Sequence, residues 1–140
     1  MPQASKSSKS NQQFTSVNDS SVADTEKLVD VIGEGLLSKQ AEDITVLDVH
    51  NLTTLTDRFI VCHAATDVQI RAIANSVIEA TSEALDEKPW QEEGRNARRW
   101  VILDYVNVVV HIFKKDLRKH YALEQMWSDA EISKIEDPEA

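Results

Sequence analysis

The chain is poor in glycine, proline and cysteine, and each shortage removes a class of function. Its 140 residues hold three glycines, three prolines and one cysteine. A phosphate-binding loop needs spaced glycines between a strand and a helix, because backbone amides must approach the phosphates closely. Gly33 and Gly35 stand inside a helical pattern instead, so no nucleotide cradle is expected. Cys62, being alone, excludes an internal disulfide framework and a cysteine-only metal cluster, and it fits a reducing cytosol. Apolar runs are only a few residues long, well short of the roughly 20 needed to span a membrane. Positive charge is also scarce: 15 Lys and Arg face 24 Asp and Glu, for a net charge of −9. Such a chain repels the phosphate backbone, so direct, non-specific RNA binding is not expected, and no direct sequence-specific nucleic-acid partner is expected either. The same charge speeds encounter with a basic protein surface.

What is present reads as one domain. Residues 1–21, "MPQASKSSKSNQQFTSVNDSS", lack the apolar core of a secretory signal and are expected to form a disordered polar leader. An amphipathic helix follows from Ser21 to about Gln40, in which Gly33 and Gly35 call for a close packing contact. "DITVLDV" (Asp43–Val49) and "DRFIVCHA" (Asp57–Ala64) are rich in β-branched and aromatic residues and predict two antiparallel strands. Thr66 and Gln69 have capping-box spacing and start a second helix that must end before Pro89. "KPWQEEG" predicts a short edge strand. The most apolar stretch, "WVILDYVNVVVHIF", predicts strands Arg99–Asp104 and Val106–Phe113 about a tight bend near Tyr105–Asn107. A last helix runs from Lys115 to about Ala130, and 131–140 reads as a frayed acidic tail. The fold class is therefore α/β: residues 22–130 form a single domain, a mixed sheet of about five strands with flanking helices.

Candidate chemistry is thin. Cys62 and His63 are neighbours on a strand and point to opposite faces, and the four histidines show no zinc spacing. No metal and no cofactor are expected. Asp104 and His111 would form an acid–base pair if their strands fold back on each other, yet no serine or cysteine nucleophile stands beside them. Alternation places Trp100, Ile102 and Asp104 on one face, with Val101, Leu103 and Tyr105 on the other. Trp100 fits either a buried core or a binding hot spot.

"DITVLDV", "TDRFIVCHA", "QIRAIANSV", "EEG…RRWVILDYVNVVVHIF" and "LRKHYALEQMW" resemble, in order and spacing, the ribosomal silencing factor (Iojap-like) family over roughly Val22–Ala130. The resemblance implies a nucleotidyltransferase-like topology without the catalytic motif. It implies a cytoplasmic, non-enzymatic protein that binds the large ribosomal subunit through large-subunit ribosomal protein fourteen. There it would block association with the small subunit and repress translation under nutrient limitation. It also implies a homodimer in some relatives. Carried over by position, Trp100, Asp104 and Tyr105 would lie at the contact, and His111, Arg118, Tyr121 and Glu124 match further signatures. The chain departs from many relatives at Val106–Asn107, where they have Gly-Asp, and at Ala64, where they have glycine. The alternative is a degenerate nucleotidyltransferase-like or hydrolytic enzyme using Asp104 and His111.

Overall fold

A computed structural model describes residues 14–95 and 99–137, with the side chains of residues 14–23, His120 and Tyr121 outside that description. The elements run α1 (Phe14–Ser38), β1 (Glu42–Asp48), β2 (Arg58–Ala64), α2 (Asp67–Leu85), β3 (Gln91–Glu93), β4 (Trp100–Asp104), β5 (Val108–Lys114), α3 (Lys115–Tyr121), α4 (Leu123–Met126) and β6 (Glu131–Ile135). The six strands form one mixed sheet in the order β3-β4-β5-β2-β1-β6. Among the described residues only the β2–β5 pair is parallel.

Strand sequence explains strand position. β2 and β5 are near-continuous apolar runs and are buried on both faces at the centre of the sheet. β4 alternates between half-buried and buried residues, which marks it as covered on one side only. β3 and β6 are exposed edges. α1 and α2 close one face: Leu28, Ile32, Leu36, Ile70, Ile73 and Val77 pack on strand residues including Ile60, Leu103 and Val110. α2 begins as its capping signal requires, with Thr66 Oγ1 accepting from the Gln69 amide at 3.1 Å. The glycines in α1 mark close packing. A Cβ on Gly35 would sit 2.9 Å from Val77 Cα, backbone that cannot yield without parting the helices, and one on Gly33 would meet Ile135 at 3.0 Å.

Three expectations are corrected. Residues 1–13 of the expected leader lie outside the described residues, but residues 14–21 belong to α1. Residues 131–135, expected in a frayed tail, form the sixth strand. β6 pairs antiparallel with β1, and Lys134 Nζ donates to Asp43 Oδ1 at 2.6 Å and Thr45 Oγ1 at 2.9 Å. The single helix expected over 115–130 is broken at Ala122, which adopts a left-handed φ of 49°. That break folds the chain back, so that Leu117, Leu123 and Trp127 all reach the second face of the sheet.

Candidate functional site around Trp100

The second face is only partly covered. α3, α4 and Trp127 pack over Leu47, Val49, Phe59, Val61 and Phe113. Beyond them, Trp100, Ile102 and Asp104 of β4 and Val109 of β5 remain half-exposed. The antiparallel register pairs Trp100 with Phe113, Ile102 with His111 and Asp104 with Val109, which places these side chains on one surface.

Trp100 is held from beneath. Its ring stacks on Phe113 with centroids 4.9 Å apart and an interplanar angle of 25°. Its Nε1–H donates to His111 Nδ1 at 3.1 Å. His111 is buried, and desolvation pushes its pKa down to about 4 although the Asp104 charge pulls the other way. The imidazole is therefore neutral near pH 7, with its proton on Nε2. That atom is buried without a hydrogen-bond partner among the described residues, a local loss of about 1–3 kcal/mol. The stacking on Phe113 and the hydrogen bond to His111 fix the indole's orientation, and the residue as a whole stays half-buried.

A buried cation organises the neighbouring end of this face. Arg118 donates through Nη1 to the Asp43 carbonyl oxygen at 2.6 Å and to His63 Nδ1 at 3.0 Å. Through Nη2 it donates to Thr45 Oγ1 at 3.0 Å and Glu124 Oε2 at 2.8 Å. It thereby ties α3 and α4 to β1 and β2. His63 is held below its usual pKa, first by burial and then by the Arg118 charge. Asp43 is lowered chiefly by its hydrogen bond from Lys134. A groove of about 640 Å³ opens beside this group, lined by Asp43, His63, Arg118 and Glu124 among others.

The expected site residues thus separate. Trp100 and Asp104 share the open face, and His111 supports it from below. Arg118 and Glu124 pair with each other, and Arg118 is buried. Tyr121 ends α3, but its side chain lies outside the described residues. Tyr105 is corrected: it lies on the α1–α2 face, 5% exposed, with its hydroxyl 2.9 Å from Thr81 Oγ1 and its pKa pushed up to about 12 by burial. A docking partner cannot reach it while the fold is closed. Asp104 and His111 make no hydrogen bond to each other among the described residues. Asp104 Oδ1 instead accepts from the Val106 amide at 2.8 Å and His111 from Trp100, so the acid–base pair is not assembled. Ile102 and Val109 were missed as surface partners. Alternation placed Ile102 on the face, but Val109 joins it only once the cross-strand register is known.

A family model described as "Ribosomal silencing factor during starvation" matches residues 22–140. A ribosomal silencing factor of Bacillus subtilis is 38% identical over 99 residues, covering 70% of this chain and 82% of its own. One from Haemophilus influenzae is 33% identical over 101 residues, covering 72% and 98%. A crystal structure of a Chromobacterium violaceum protein superposes with a TM-score of 0.71 at 32% identity, covering 74% of this chain and 86% of that one. A mouse relative is 24% identical over 102 residues, covering 71% of this chain and 45% of its own, and is named a mitochondrial assembly protein of the ribosomal large subunit.

Proposed function

The chain belongs to the ribosomal silencing factor family, and from that premise we propose that it docks on the large ribosomal subunit through the open face around Trp100. The partner in this reading is large-subunit ribosomal protein fourteen on the subunit-joining surface. Occupying that surface excludes the small subunit and represses translation in the cytoplasm under nutrient limitation. The mechanism is steric, and no bond is made or broken.

One observation carries the proposal: the sheet face at Trp100, Ile102, Asp104 and Val109 is left half-exposed in a fold whose opposite face is closed by two helices. An indole braced by stacking and a hydrogen bond gives such a face a rigid anchor. The net charge of −9 favours a basic partner. The family name describes a regulatory role, and no helix among the described residues is long and apolar enough to cross a membrane. Self-association through the same face is the competing use of this surface in the absence of ribosomes. Co-sedimentation of the full chain with isolated large subunits tests the reading, together with the yield of joined ribosomes. Binding with a reduced joining yield supports it, and failure to sediment with large subunits overturns it.

A further inference from the structure

We infer that the rim at the Asp104 end of the sheet, formed by Trp90, Val106 and Leu55, is a second part of the docking surface, covered by the same basic protein partner. This rests on the reading above and adds a set of contacts outside the Trp100 face. The three side chains are 68%, 59% and 76% exposed. They come from three separate loops that the backbone brings side by side. The Trp90 amide donates to the Asp104 carbonyl oxygen at 2.9 Å, and the Val106 amide to Asp104 Oδ1 at 2.8 Å. The Asn107 carbonyl oxygen then accepts from the Asp57 amide at 3.1 Å and the Arg58 amide at 3.2 Å, two and three residues after Leu55. Asp104 sits between Trp90 and Val106 and belongs to the open face as well, so rim and face are continuous.

Val106 makes the rim more than scattered apolar surface. Its φ is 76°, a left-handed conformation that a β-branched residue rarely adopts and that glycine or asparagine tolerates. Strained backbone here presents an isopropyl group to solvent, a cost that contact with a partner offsets. Charge selects the occupant. Asp57 lies two residues from Leu55, Glu87 three from Trp90 and Asp104 two from Val106, while Arg58 is engaged with Asp48 and Glu26 and Arg95 with Glu92, leaving Lys88. A second copy of this acidic chain would bring like charges together. A protein surface with an apolar centre and Lys or Arg around it would not.

The test measures affinity of the full chain for isolated large subunits by co-sedimentation, with Trp90→Ala, Val106→Gly and Trp100→Ala beside wild type. Val68→Ala serves as the control, since Val68 is 74% exposed on α2 near the opposite end of the strands. Trp90→Ala is expected to weaken binding about tenfold or more, and Val106→Gly several-fold. Val68→Ala should bind as wild type. Val106→Gly relieves the left-handed strain, so its melting temperature should stay level or rise, which separates lost contact from lost fold. Wild-type affinity in folded Trp90→Ala and Val106→Gly, with binding lost in Trp100→Ala, overturns the rim and leaves the Trp100 reading standing. Variants that change only concentration-dependent dimerisation in sedimentation velocity assign the rim to a second copy and overturn the inference. Failure of wild type to bind large subunits overturns both.

Discussion

The two faces of the sheet are built from different chemistry. The face under α1 and α2 is aliphatic and shut, with Ile60, Leu103, Val110 and Ile112 fully buried and Gly35 allowing the helices to meet at backbone distance. The other face is aromatic and ionic: Phe59, His111, Phe113, Trp100 and Trp127 stack in tilted and parallel pairs, and Arg118 is buried among polar partners. It also keeps an imidazole Nε2 that has no hydrogen-bond partner among the described residues, and a half-exposed indole. The closed face supplies most of the buried aliphatic core, and the open one leaves half-exposed the surface proposed to dock.

Neighbouring residues on β4 give the sharpest contrast. Leu103→Ala, on the closed face, should lose about 2–5 kcal/mol in denaturant unfolding. Ile102→Ala, one residue away on the open face, should lose less than about 1 kcal/mol while weakening large-subunit binding. Equal destabilisation by both would erase the distinction between the faces.

Acid should weaken the open face selectively. The folded pKa of His111 lies at about 4, below its ordinary value of 6.5. The unfolded chain therefore takes up a proton below pH 6.5 that the folded chain refuses until about pH 4. Stability from this group is full above pH 6.5 and falls as pH drops through that window, by on the order of 3 kcal/mol in all. His63, also lowered, contributes in the same direction. Unfolding measured from pH 7 to pH 4 should show a shallower loss in His111→Phe than in wild type, and parallel curves would contradict the assignment.

A small effect confined to stability is expected at Tyr105. Tyr105→Phe removes a hydrogen bond from the closed face while the Thr81 hydroxyl keeps its bond to the Ile78 carbonyl oxygen. About 1 kcal/mol of stability should be lost, with large-subunit affinity unchanged. Weakened binding would return Tyr105 to the docking surface.

Tyr105 also shows where sequence reasoning was strong. Alternation along "WVILDY" assigned it to the face of Val101 and Leu103, and the structure agrees, whereas resemblance placed it at the contact. Local signals were legible wherever the physics is local: the Thr66 cap, the alternation of β4, the tight contact demanded by Gly35. β6 was not legible, because "EISKI" has two apolar residues in five and is held by pairing with a strand some ninety positions earlier. The break at Ala122 was hidden because alanine is a strong helix former, yet here it caps α3 in the left-handed region with its amide donating to the Arg118 carbonyl oxygen. The His111 acceptor for Trp100 depended on strand register, which no turn signature specified.

Everything proposed for the open face turns on Trp100 as the anchor of the chain on the large ribosomal subunit. Its direct test is the affinity of Trp100→Ala for isolated large subunits, with folding checked by circular dichroism and thermal unfolding. The variant is expected to fold and to bind more weakly by about 2 kcal/mol or more, roughly thirtyfold. A folded Trp100→Ala protein that binds as tightly as wild type would contradict it.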